Sequence, residues 1–201
     1  MRNSFKTAKE IFLENNGILR SSEARNLGIN PKTLSDMVKE GLLVREGRGL
    51  YRVSDLEPPG NPDIVNVCKR VPGAVICLIS ALAFYGLTTQ IPYKVFIALP
   101  RKKKNFPRIE YPPIEVIWPS KDVYRTGIEN KVIAGFDIPI YSREKTIADC
   151  FKFRNKIGKD VAVEALRDYI RSGDRNISKL MEYARIDRVE KIMLPYIEAL
   201  V

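Results

Sequence analysis

The 201-residue chain is 45% hydrophobic and 29% charged, enough for one large domain or two small ones, and its net charge of +10 points to a polyanion such as nucleic acid or an anionic membrane surface. Histidine is absent, which excludes Ser-His-Asp and Cys-His nucleophile pairs, HExxH zinc sites and any imidazole base. The longest apolar run, AVICLISALAFYGL, is too short to span a bilayer and no secretory leader pattern opens the sequence, so a cytoplasmic protein is expected.

SFKTAKEIFLENNG predicts a first helix, with Ser4 as cap, Phe5, Ala8, Ile11 and Phe12 on one face, and Asn16-Gly17 as its end. ILR reads as a short strand. SSEARNLG predicts a second helix capped by Ser21 or Ser22 and stopped at Gly28. In NPKTLSDMVKEG, Asn30 caps, Pro31 takes the first helical position where its missing N–H is harmless, and Gly41 terminates. Leu34, Met37 and Val38 share an inner face, leaving Lys32, Ser35, Asp36 and Lys39 outside. LLVRE and LYRVS, joined by Gly47-Arg48-Gly49, predict a hairpin.

Helix, strand, helix, turn, helix and hairpin is the order of a winged helix-turn-helix. A helix fits the DNA major groove and reads bases with its N-terminal residues, while a glycine-flanked arginine at a hairpin tip can approach the backbone closely. The candidate DNA contacts are Lys32, Thr33, Ser35 and Lys39 on the third helix and Arg45, Arg48 and Arg52 on the wing. Ser21 and Ser22 would hold phosphates at the second helix. Residues 1–56 carry ten Lys/Arg against seven Asp/Glu, a mild net of +3, so the order of elements carries this reading more than charge does. A small helical core with merely solvated charges, or a winged fold used for protein contacts, would share the pattern.

EPPGNP (57–62), with three prolines and a glycine, reads as a linker, placing the domains at 1–56 and 63–201. DIVNVCKRV predicts a helix opening the second domain. AVICL follows as a buried strand, then a helix capped by Ser80 and ending at Gly86. KVFIALP and IEVIWP read as strands, and KVIAG with FDIPIY as a hairpin or two edge strands, since Pro139 cannot donate to a ladder. From Ser142 the chain turns helical through REKTIADCFKFRNKIG, then DVAVEALRDYIRSG capped by Asp160, NISKLMEYARI, and a last helix kinked or restarted at Pro195. The fold class is therefore α+β, a winged helix followed by a mixed α/β domain with a helical end.

Two basic clusters in the second domain suit backbone contact with DNA: Arg101, Lys102, Lys103, Lys104 and Arg108 in one loop, and Lys152, Lys156, Lys159, Arg167 and Arg171 at helical spacing. Solvated faces with i,i+3 pairs such as Glu164 with Arg167 would look the same. Cys68, Cys77 and Cys150 lack CxxC spacing and read as reduced core thiols; no metal or cofactor is expected. Asp122 with Glu129 and Lys131 mimics the D…ExK spacing of metal-dependent nucleases, but so short a match is common by chance, and no enzymatic activity is expected.

GINPKTLSDMVKEGLLVREGRGLYRVS, AVICLISALAFYGLT and SREKTIADCFKFRNKIG together resemble the AbiEi-like antitoxins of type IV toxin–antitoxin, or abortive infection, systems. The likeness spans nearly the whole chain, and the SALAFYGLT and SREKTIAD blocks are its more distinctive parts. The resemblance implies a winged helix-turn-helix that binds inverted repeats in the promoter of its own operon, from a dimer or from two cooperating monomers. It also implies a second domain that counters a nucleotidyltransferase-like toxin without a stable complex. Ser80, Gly86, Thr146 and Asp149 fall at its motif positions and read as structural, except that Asp149, on a mostly apolar turn, is left unassigned, a buried salt bridge being favoured over catalysis. The rival readings are a stand-alone transcriptional regulator with a sensing or dimerising second domain, and a nuclease-like enzyme.

Overall fold

A computed structural model describes residues 2–58, 60–101, 106, 107 and 109–200. It divides into two compact units. The first runs to Pro72 and takes in Pro107–Pro112 and Val132–Asp137; the second comprises Gly73–Phe106, Pro113–Lys131 and the chain from Ile138 onward.

In the first unit, α1 (Arg2–Glu14), β1 (Ile18–Arg20), α2 (Ser21–Asn26), α3 (Pro31–Lys39), β2 (Leu43–Gly47) and β3 (Leu50–Val53) follow in the predicted order. The strands form an antiparallel sheet in the order β1-β3-β2, so the hairpin is the wing and β1 its third strand. Ala8 and Phe12 from α1 meet Leu19, Ala24, Leu34, Met37, Leu43 and Val53 in one apolar core. This is a winged helix-turn-helix.

Two predicted caps move by a few residues. Helix α1 already begins at Arg2, so Ser4 lies inside it. Ser21 is the first residue of α2 rather than its cap, which is Arg20; the Arg20 N–H donates to the Glu23 carboxylate at 2.7 Å, leaving no capping role for either serine. The helix α4 (Pro62–Arg70) begins at the last residue of the proline-rich segment, one residue earlier than expected, and groups with the first unit, so that unit extends past residue 56 to Pro72. Ile64, Val65 and Val67 of α4 are buried.

The second unit holds most of a five-stranded sheet, ordered β6-β5-β4-β8-β7, formed by β4 (Val75–Ile76), β5 (Val95–Ala98), β6 (Ile114–Ile117), β7 (Ile128–Ile133) and β8 (Phe136–Tyr141). Strand β8 therefore lies inside the sheet, against the expectation from Pro139 of an edge position. Its ladder with β4 is a single parallel pair, Ile76 with Ile140, so few bonds on that side call for a donor. Helices α5 (Leu78–Tyr85), α6 (Lys121–Arg125), α7 (Arg143–Lys152), α8 (Arg154–Ile157), α9 (Lys159–Arg171), α10 (Ile177–Ile186) and α11 (Glu190–Glu198) complete the unit.

Ser142 caps α7, accepting from the Lys145 N–H at 3.3 Å, and Gly86 ends α5, as expected, with a left-handed φ of 67°. Ser80 and Asp160 do not cap. Helix α5 starts two residues before Ser80, whose Oγ instead accepts from the Phe96 N–H of β5 at 2.9 Å, and Asp160 lies in the first turn of α9 behind Gly158. Pro195 sits within α11, which continues through it. No helix among the described residues is long and apolar enough to cross a membrane.

Candidate nucleic-acid interface

The third helix is set by its ends. The Asn30 side chain accepts from the Lys32 N–H at 2.8 Å, Pro31 fixes the first turn, and Gly41, at φ 71°, lets the chain leave for β2. Leu34 and Met37 anchor its inner face in the core. Lys32, Ser35 and Lys39 consequently face solvent, with Thr33 and Asp36 half-buried. The Ser35 hydroxyl donates back to the Pro31 carbonyl at 3.2 Å.

The wing tip is Arg48-Gly49, where Gly49 has φ 73°. Arg45 and Arg48 are exposed. Among the described residues, the charged ends of Lys32, Lys39, Arg45 and Arg48 have no ion-pair or hydrogen-bond partner.

Arg52 is a correction. It is only 8% exposed, donates from Nε to the Glu46 carboxylate at 2.5 Å, and donates from Nη1 to the Val53 carbonyl at 3.1 Å and to that of Leu56. A guanidinium so committed is structural and is no DNA contact. Its position in LYRVS misled because β3 is the middle strand of the sheet, and a central strand offers little free surface. Ser21 is half-buried beneath the tip, its N–H donating to the Gly49 carbonyl at 2.8 Å, so that N–H is not free for phosphate; Ser22 is exposed.

The second unit's cations are placed differently. Lys152 pairs with Asp187 at 3.2 Å and Lys156 with Glu115 at 2.5 Å, and Lys159 lies 5.4 Å from the centre of the Tyr196 ring. Lys156, then Lys94, hold the Glu115 carboxyl below its ordinary range. Arg101 is exposed, with Nε 3.4 Å from the Trp118 carbonyl, and Arg167 and Arg171 are exposed on α9. Glu164 accepts from Thr88 and Thr89, at 3.2 and 2.8 Å, instead of bridging to Arg167. Lys102, Lys103, Lys104 and Arg108 lie outside the described residues. Glu129 and Lys131 pair with each other at 2.9 Å.

A buried cluster escaped the sequence reading in part. Asp149 does join a buried ion pair, but its partner Lys145 was not singled out, nor was Asp187. Lys145 Nζ, wholly buried, lies 2.5 Å from Asp149 and 2.9 Å from Asp187. The i,i+4 spacing of Lys145 and Asp149 within SREKTIAD was the available signal; Asp187 is too distant in sequence to leave one. Burial opposes the Lys145 charge, yet the two carboxylates raise its pKa overall. Burial pushes Asp149 up to about 7, with Lys145 opposing and Asp187 reinforcing the rise. All three cysteines are free thiols, and burial pushes Cys68 up to about 12.

The first unit thus has the architecture of winged helix-turn-helix transcriptional regulators, with cations on the third helix and the wing tip that have no partner among the described residues. Residues 6–54 match the family described as transcriptional regulator, AbiEi antitoxin; the match lies wholly within this unit, from α1 to the residue after β3. Among curated proteins, none matches the chain.

Proposed function

We propose that the protein is a DNA-binding antitoxin that represses its own operon. In this reading α3 enters the major groove of an inverted repeat in the promoter, with Lys32, Thr33, Ser35 and Lys39 towards the bases and phosphates. Arg45 and Arg48 of the wing and Ser22 of α2 hold the backbone. The observation that carries it is the state of these cations: the ends of Lys32, Lys39, Arg45 and Arg48 are exposed and unpartnered, whereas Arg52, Lys152 and Lys156 are spent on the protein's own acids. Arg167 and Arg171 stay open for supplementary backbone contact. The second unit would counter a nucleotidyltransferase-like toxin without a lasting complex, as the resemblance of SALAFYGLT and SREKTIAD implies.

Binding to a duplex copied from the DNA upstream of its own gene tests the first part. Arg48→Ala should weaken operator and mixed-sequence DNA alike and make the slope of log K against log salt shallower by about one. Lys32→Ala or Ser35→Ala should cost about 1–3 kcal/mol on the operator and much less on mixed sequence. Equal losses on both duplexes would remove base reading by α3. Co-expression with the neighbouring gene tests the second part, the expected result being growth that depends on this chain.

A further inference from the structure

The strand that carries the wing arginines is irregular. Arg45 pairs with Tyr51 and Gly47 with Leu50, which leaves Glu46 as the extra residue of a β-bulge. A bulge residue loses its ladder partner and sharpens the local twist, so it decides where the following tip points. Here its carbonyl is satisfied from outside the sheet, by Asn66 of α4, whose Nδ2 donates to it at 3.0 Å. The Glu46 side chain is held on its other side by Arg52.

Helix α4 carries two further ties within the first unit. Arg70 is buried over Gly47, so close that a Cβ on that glycine would lie 2.8 Å from Nη1; the same Nη1 donates to Asn66 Oδ1 at 3.4 Å and to the Tyr111 carbonyl at 3.2 Å. Lys69 pairs at 2.9 Å with Glu23, whose other carboxylate oxygen holds the Arg20 N–H at the start of α2. One helix therefore grips both the bulge of the wing and the first turn of the helix-turn-helix. Asn66 is the telling residue: a polar side chain buried on α4 needs partners, and its amide donates to the carbonyl of the bulge residue itself.

We infer that α4, which lies beyond the matched segment, is a working part of the DNA reader, with Asn66 as a positioning residue that aims Arg48 through the Glu46 bulge. This rests on the DNA-binding reading above. Asn66 touches no DNA itself; its effect passes through the wing tip, so it should vanish when the tip arginine is absent.

The test uses the full chain and a fluorescein-labelled duplex copied from the DNA upstream of its gene, with anisotropy followed across a salt series for wild type, Arg48→Ala, Asn66→Leu and the double variant. Asn66→Leu should make the salt slope shallower by about one, as Arg48→Ala does, and the double variant should match either single variant. A purely structural role would lower the competent fraction equally at every salt concentration and leave the slope alone. A folded Asn66→Leu with the wild-type slope, or losses that add in the double variant, overturns the inference while leaving the DNA-binding reading standing. Absence of binding by wild type at low salt overturns both. Should Asn66→Leu fail to fold by circular dichroism, Gly47→Ala, which presses a methyl on Arg70 at the same seam, takes its place with the same expected slope and the same contradicting result.

Discussion

Taking an ammonium group out of water is unfavourable unless charges and hydrogen bonds replace the solvent, and Lys145 has both Asp149 and Asp187 within bonding distance. Two carboxylates around one buried cation leave a surplus negative charge, which Lys152 offsets only from the half-exposed side of Asp187. Burial above all, with Lys145 opposing and the Asp187 charge adding to the rise, makes Asp149 hold its proton more tightly in the folded protein, to about pH 7 against an ordinary 3.8. The folded state then binds the extra proton between these limits. Its contribution is complete below pH 3.8 and is lost as pH rises through 7. Asp149→Asn removes the titration with little change of shape. Denaturant unfolding across that range should show wild type losing stability relative to Asp149→Asn as pH increases; a difference that stays flat would remove Asp149 from the account. Residues of this kind explain why sequence reading stopped short. The pair at i,i+4 was visible in SREKTIAD, but Asp187 reaches the cluster from the end of α10, which only tertiary packing can reveal.

Local signals read well where a short stretch sets its own ends. Asn30, Pro31 and Gly41 delimit α3 because a side-chain acceptor, a ring-locked φ and a left-handed exit each act over a few bonds, and Gly86 ends α5 by the same left-handed exit. Asn30→Ala should accordingly cost about 1 kcal/mol in thermal or denaturant unfolding. It should also weaken DNA binding, since the helix it frays begins with Lys32 and Thr33. Unchanged stability would mean that core packing by Leu34 and Met37 holds the first turn without its cap. Where ends are set by tertiary contact the reading missed: Ser80 and Asp160 are good capping residues that lie inside helices started by chain entry from β4 and from Gly158. Arg52 has the composition of a wing cation and the location of a core residue. Pro139 is a poor ladder donor, as its sequence position implies, yet β8 tolerates it inside the sheet because its ladder with β4 is a single pair.

At the scale of the molecule, the proline-rich segment at 57–62 looked like a boundary because nothing regular crosses it, yet α4 beyond it packs with the winged helix. The chain then contributes two further stretches to that unit, Pro107–Pro112 and Val132–Asp137, so its three pieces are interleaved with those of the second unit. Such connectivity separates this protein from two domains on a string: the first unit is incomplete until the later segments are in place, and their loss would strip Arg70 of the Tyr111 carbonyl. Each unit nevertheless has its own apolar core, around Phe12 and Met37 in one and around Leu82, Ile147 and Leu166 in the other. The interleaving predicts that they unfold together. Trp118, the single tryptophan, reports on the second unit, and Tyr51→Trp in a Trp118→Phe background reports on the first. Their denaturant transitions should coincide in midpoint and steepness, as a two-state process requires. A first-unit probe that melts separately would show that the winged helix with α4 holds its fold without the returning segments, and would make residues 2–72 a free-standing DNA reader.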